Sequence, residues 1–260
     1  MISFLEFIVG LIIICLKFFR GVCMMDSYKD FSKIYDDCGV NEYSLTFGKS
    51  MLKFFKQEHS NELFNTHLDF CCGTGTLCNF FYNNGIDTKG VDISENMLNV
   101  AKDKFPEINF ICKSVSEFND GCTYDFITCV DDALNHIIGE DLFEQVIRNA
   151  SALLRKGGYF IFDLNNPDSF KYDEFITKGV NDNSKLEYYI TRPSENTMNF
   201  DVNYYVGDEL IWKTSVFEQM YPVEYVKEVL KKEGFFVELC TSNFYDDTRE
   251  IKWKYIARKI

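Results

Sequence analysis

The chain has 260 residues, 46% of them hydrophobic and 26% charged, with a formal net charge of -13. That size and apolar content suit one α/β domain carrying an insertion and do not require a second full domain. The negative charge repels phosphate backbones and no basic run offsets it, so a nucleic-acid partner is not expected, and a small or cationic one is.

Residues 1–23 stand apart. Phe7 to Leu16 is strongly apolar, but Glu6 and Lys17 bound an uncharged run of ten residues, against about twenty for a normal membrane span. Three readings stand open: a marginal anchor with Lys17 and Arg20 on the cytoplasmic side, a signal peptide, and a natural start at Met24 or Met25. Arg20-Gly21-Val22 can be encoded by a ribosome-binding-like string just upstream of those methionines. An acid before the apolar run argues against the signal peptide. Membrane contact is expected only through residues 1–23, and the domain at 24–260 is expected in the cytoplasm, or on the inner face of the membrane if the anchor is real.

From Asp26 onward the elements alternate. Helices fit 26–36 and 43–58, then a strand at 67–72, a helix at 75–84, a strand at 88–92, a helix at 94–104 and a strand at 108–112. A strand at 124–130 leads to a helix with Leu142, Val146, Ile147, Ala150, Leu153 and Leu154 on one stripe, and a fifth strand fits 158–164. Residues 186–190, 199–206 and 210–217 alternate like antiparallel strands, with Val206-Gly207-Asp208-Glu209 as a turn. They read as an inserted lid at about 168–221. A helix at 222–233 ending at Gly234 and strands at 235–240 and 250–258 complete the pattern. The fold class is α/β, a doubly wound, seven-stranded, mainly parallel sheet with an antiparallel sheet inserted after strand five.

The most informative stretch is Leu68-Asp69-Phe70-Cys71-Cys72-Gly73-Thr74-Gly75, an apolar strand that ends in an acid and a glycine turn before a helix. Glycine can adopt φ values that a Cβ forbids, and free N–H groups at a helix start favour an electron-rich guest. Seventeen residues after Gly75, Asp92 ends a second apolar run where a ribose diol would need an acceptor. A dinucleotide fingerprint requires glycine at 78, and Cys78 stands there. Asp69 also suits an ammonium and sulfonium ligand better than a pyrophosphate, whose charge it would repel. The ten cysteines form no C-x-x-C pair and read as reduced, small apolar residues, with no metal site expected.

This block resembles motif I of the class I, Rossmann-like, S-adenosylmethionine-dependent methyltransferases, D/E-x-G-x-G-x-G, with Cys71 replacing the first glycine and Gly73 and Gly75 left to make the turn. The resemblance runs from about Tyr28 to Lys259. Tyr28 to Asp36 is similar to the Y-x-x-F-A-x-I-Y-D helix that caps the cofactor in small bacterial members. Asp92-Ile93-Ser94-Glu95-Asn96-Met97-Leu98 is similar to their D-x-S-x-x-M-L, Asp125 to His136 to their motif IV, and Leu154 to Asp163 to the turn into strand five.

The resemblance implies S-adenosyl-L-methionine as cofactor, S-adenosyl-L-homocysteine as product, and a cofactor site made of Tyr28, Tyr35, Asp69, Gly73, Gly75, Asp92, Ile93, Met97, Ser114, Val115 and Asp131. The family often has an acid against the adenine amino group where this chain has Ser114. His136 and Asp131 are the catalytic candidates: His136 because its unperturbed pKa lies near neutrality, Asp131 as an orienting acid. Asn135, Asp163 and Asn165 at strand ends, with Tyr204 and Trp212 of the insertion, are substrate candidates. The function implied is methyl transfer to nitrogen or oxygen of a small-molecule acceptor. An RNA or protein methyltransferase, or a non-catalytic module that binds the cofactor or its product, is the alternative.

Overall fold

The computed structural model describes residues 28–169, 173–244 and 251–260, so the apolar N-terminal run lies outside the described residues. Apolar runs bounded by glycine, asparagine or acidic turns form strands β1 (Thr66–Phe70), β2 (Asp87–Asp92), β3 (Asn109–Cys112), β4 (Tyr124–Cys129) and β5 (Leu154–Asn165). Strands β6 (Glu174–Asn181), β7 (Ser184–Ser194), β8 (Thr197–Val206) and β9 (Glu209–Gln219) follow, then β10 (Phe235–Thr241) and β11 (Lys252–Lys259). The helices are α1 (Glu42–Glu58), α2 (Thr76–Asn83), α3 (Glu95–Lys104), α4 (Glu140–Leu153) and α5 (Val223–Lys232).

The main sheet has seven strands in the order β10-β11-β5-β4-β1-β2-β3, and the second sheet has four in the order β6-β7-β8-β9. Strands β1 to β5 are mutually parallel, while β11 runs antiparallel to both of its neighbours. The chain winds outward from β1 through β2 to β3, then crosses to β4 on the other side of β1. A crevice opens beyond the strand ends at such a switch point. One layer of core lies under α4 and α5, with Phe143, Val146, Ile147, Val226 and Leu230 packed on β4 and β5. The other lies under α1 and α2, where Phe47, Met51, Phe55 and Phe81 meet Phe126 and Tyr159.

Three features differ from the sequence expectation. Residues 28–41 are turns around a single 3-10 turn, Phe31–Lys33, rather than a helix over 26–36. Their side chains reach several different bodies instead of burying one face. In α4, Leu142 is 38% exposed and Phe143 takes the buried place. The inserted sheet has a fourth strand, β6, whose residues are exposed at nearly every position, so no apolar alternation marked it.

Gly75 caps α2 with φ +77, and an added Cβ would lie 2.6 Å from Phe110 Cζ and 3.2 Å from Ala101 Cβ. Its lack of a side chain serves packing between α2, α3 and β3. Left-handed strain and overpacking add, so Gly75→Ala is expected to lower the unfolding free energy by about 2–4 kcal/mol. Urea denaturation checks this, and unchanged stability would contradict it.

Candidate functional site

The turn after β1 bends through three positive φ angles: Cys71 at 54, Gly73 at 53 and Gly75 at 77. Cys71 therefore adopts the left-handed conformation that the absent first glycine would favour, and the turning is shared among three residues rather than two. A Cβ on Gly73 would meet nothing within 4 Å, so its backbone faces open space. The Gly73 N–H donates to Asp92 Oδ2 at 2.8 Å, and the Ser94 N–H donates to Asp92 Oδ1 at 2.8 Å. Burial pushes the Asp92 carboxyl up, against the pull of the Ser94, Gly73 and Ile93 N–H groups. A carboxylate offers about four acceptor sites, so capacity for a further donor remains.

Asp69 lies deeper. It is 2% exposed, and register pairs it with Thr128 of β4, whose hydroxyl donates to Oδ1 at 2.5 Å while the Cys78 thiol donates to Oδ2 at 3.5 Å. Burial raises its pKa to about 7. Its oxygens meet the protein's own groups under the loop.

Across the switch point, β4 ends in two consecutive left-handed residues, Asp131 at φ 66 and Asp132 at φ 52. Their N–H groups donate to the Asp163 carboxylate at 2.8 and 2.6 Å. Asp163 is fully buried, and burial raises its pKa to about 6. Lys252, the first residue of β11, places Nζ 2.6 Å from Asp131 Oδ1, 3.2 Å from Asp132 Oδ1 and 3.8 Å from Asp163 Oδ1. Glu218 of β9 joins them from the inserted sheet, 3% exposed, with Oε2 accepting from Asn165 Nδ2 at 2.7 Å. Burial holds the Glu218 carboxyl well above the usual carboxylate range and raises Asp132 as well.

Segment 28–41 spans the crevice from one turn to the other. Asp36 accepts from the Thr74 hydroxyl at 2.7 Å and pairs with Lys104, while the Tyr35 hydroxyl donates to Asp131 Oδ2 at 3.3 Å and the Tyr28 hydroxyl lies 3.3 Å from His136 Nε2. Burial lowers the His136 pKa to about 4, which leaves a neutral imidazole near pH 7. The tyrosines are pushed upward and stay protonated.

The structure thus brings Tyr28, Tyr35, Gly73, Asp92, Asp131 and His136 around one crevice. Ile93 follows Asp92 and is 46% exposed, Met97 is buried at 3% one turn into α3, Ser114 bonds Ser116 at 2.8 Å, and Val115 sits in the core. Asn135 and Asn165 are buried: Asn135 Nδ2 donates to Gln219 O at 2.7 Å, and the Asn165 N–H donates to Asn135 Oδ1 at 2.9 Å. These two residues fasten the last strand of the inserted sheet to the crevice, helped by the Gly139 N–H on Gln219 Oε1 at 2.7 Å. Tyr204 and Trp212 stack at 5.4 Å, and Phe31 meets Trp212 edge-on at 5.9 Å. Their rings form the seam between the inserted sheet and segment 28–41. Sequence reasoning missed Lys252 and Glu218, which sit in strands where alternation alone was visible, and it placed Asp132 at the strand ends without giving it a role.

A separate cavity of about 510 Å³, lined in part by Phe54, His59, Glu238 and Phe244, lies between α1 and β10 and shares none of these residues. Among the described residues no helix is long and apolar enough to cross a membrane, and no cluster of His, Cys, Asp or Glu has metal-holding geometry.

The family profile described as "Methyltransferase domain" matches residues 68–158, from β1 through the start of β5. A putative methyltransferase of Geobacillus sp. strain WCH70 is 26% identical over 239 residues, covering 85% of this chain and 94% of that protein. Among solved structures, an S-adenosylmethionine-dependent methyltransferase from Clostridium acetobutylicum superposes with a TM-score of 0.76 at 22% identity, covering 89% of this chain and 98% of that one. An S-adenosylmethionine-bound amino pentose methyltransferase from Micromonospora echinaspora gives 0.72 at 16% identity, covering 88% and 96%.

The burial of Asp69 has a measurable signature. Its folded pKa of about 7 lies above the unfolded value of about 4, so the native state holds the proton more tightly. That contribution is full below about pH 4 and is lost as pH rises through 7. Relative to Asp69→Asn, the wild type should lose roughly 2–4 kcal/mol of stability between those limits. Chemical denaturation at a series of pH values tests it, and parallel profiles for the two proteins would contradict it.

Proposed function

We propose that this chain, whose residues 68–158 match a methyltransferase-domain profile, is a class I S-adenosylmethionine-dependent methyltransferase that transfers a methyl group from S-adenosyl-L-methionine to nitrogen or oxygen of a small-molecule acceptor. The observation that carries this reading is the meeting, at the sheet's switch point, of the left-handed turn after β1 with the left-handed turn after β4.

The residues present suit the cofactor. Open space over Gly73 lets its backbone approach a ligand without a Cβ in the way, and Asp92 retains acceptor capacity for the two ribose hydroxyls. Ile93 and Met97 flank the adenine in this reading, with Ser114 and Val115 at its edge. Tyr28 and Tyr35 cover the methionine end, Asp131 orients it, and Asp69 supports the loop from beneath through Thr128 and Cys78. Bound cofactor supplies an activated sulfonium methyl.

The protein's own task is then geometry, dryness and a destination for a proton. Segment 28–41 and β9 exclude water from the crevice. His136, neutral near pH 7, is the candidate to take a proton at a ring nitrogen, and the Glu218 carboxyl stands beside Asn165 at the same end of the sheet. Asp131, Asp132 and Asp163 outnumber the one lysine they share, which favours a cationic acceptor and so an amine over a hydroxyl. The amino pentose methyltransferase among the structural neighbours fits that preference. Incubation with labelled cofactor and a metabolite extract, followed by mass spectrometry, would identify the acceptor.

Calorimetry tests the cofactor assignment. S-adenosylhomocysteine should bind at micromolar level and NAD should give no heat, with Asp92→Ala losing about 1–3 kcal/mol of binding as the ribose acceptor disappears. Tight NAD binding without S-adenosylhomocysteine binding would overturn it.

A further inference from the structure

Lys252 belongs to no motif of the chain, yet it holds the centre of the crevice. It is 6% exposed and pairs in register with Asn165 of β5. Its ammonium reaches Asp131, Asp132 and Asp163 at 2.6, 3.2 and 3.8 Å, and the Tyr43 ring lies 4.2 Å from it. Burial by itself would lower its pKa, but Asp131, Asp132 and Asp163 outweigh that and raise it, so it remains charged.

Two consecutive non-glycine residues at positive φ persist only where their surroundings over-determine them. Here the constraints come from one place. Asp163 accepts both N–H groups of the turn, and Lys252 binds that same carboxylate together with the two side chains of the turn. We propose that Lys252 is a positioning residue of the transfer site, gathering Asp131, Asp132 and Asp163 so that the 131–132 turn keeps the shape and charge that cofactor and acceptor meet. The inference rests on the methyltransferase reading of the crevice.

The groups facing Lys252 fix the direction of the effect. Asp131 and Asp132 come from the turn after β4, Asp163 from β5, Glu218 from β9 and Tyr43 from α1; His136 also feels its charge, and Tyr35 shares Asp131 with it. Without the ammonium, crowded carboxylates take up protons at higher pH, because each loses the charge that favours its ionised form. Protonated Asp163 can no longer accept fully from both N–H groups, and the turn loosens. A lysine that only held β11 in place would leave ligand binding alone, although its loss would still raise the carboxyl titrations.

The test compares wild type, Lys252→Met and Lys252→Arg by calorimetry with S-adenosylhomocysteine from pH 6 to 9, and by carbon NMR of the aspartate carboxyls. Lys252→Met should bind at least tenfold more weakly at pH 7, with cluster carboxyls titrating at higher pH, and Lys252→Arg should stay within about threefold of wild type. Lys252→Met binding within threefold of wild type overturns the inference alone, even where the carboxyls titrate at higher pH. Absence of binding by the wild type overturns the cofactor reading and this inference with it. Should Lys252→Met fail to fold, the Lys252 ammonium signal of the wild type decides: a shift on adding S-adenosylhomocysteine supports the role, and an unmoved signal refutes it.

Discussion

Left-handed backbone at the ends of two neighbouring strands is the constraint on which the rest of the crevice depends. Cys71, Gly73 and Gly75 after β1, and Asp131 and Asp132 after β4, turn the chain sharply where it leaves the sheet. A side chain in that conformation costs about 1–2 kcal/mol, and three of these residues carry one. The offset is local and specific. Asp92 accepts from Gly73 on one side of the switch point, and Asp163 accepts from Asp131 and Asp132 on the other. Each acid that holds a turn is itself buried and raised in pKa, so backbone shape and local charge are set together.

That coupling organises the elements around the crevice. Segment 28–41 has only a single 3-10 turn of its own, and its hold on the protein comes from Asp36 on Thr74, Tyr35 on Asp131, Tyr28 beside His136 and the packing of Phe31 on Trp212. The inserted sheet is fastened through Gln219 and Glu218 to Asn135 and Asn165, and through the Tyr221 hydroxyl to the Ile137 carbonyl. Segment 28–41 thus touches both turns, while the inserted sheet attaches just beyond the second one and reaches it through Asn165 Nδ2 on Asp132 Oδ2 at 2.9 Å. A ligand that altered the 131–132 turn would be felt by both covers.

Much of this was legible in the sequence where short-range chemistry decides. The acid, the glycines and Asp92 mark the loop because only certain residues tolerate that backbone, and the alternation of apolar runs with amphipathic stretches marks the winding. Cys71 was misjudged in its geometry: its side chain suggested a position spared from turning, whereas the loop closes only if it turns too. The helix expected over 26–36 failed because its tyrosines and Asp36 answer to partners as many as 108 residues away. Lys252 lies 121 residues from Asp131, and Glu218 lies 53 from Asn165. Such pairings are fixed by how strands stack in the sheet and leave no local pattern. Asn165 ends β5 as expected, whereas Asn135 lies in a 3-10 turn, Ala133–His136, beyond β4; both face the inserted sheet because buried amides need partners and the edge of β9 supplies them.

The central claim is that the two left-handed turns together form one cofactor site. A crystal structure of the protein with S-adenosylhomocysteine tests it most directly. The account predicts the ribose hydroxyls on Asp92, the ligand's backbone contact at Gly73, and its methionine end beside Asp131 under Tyr28 and Tyr35. A ligand seated elsewhere, or one that leaves Asp92 and Asp131 both untouched, would contradict it.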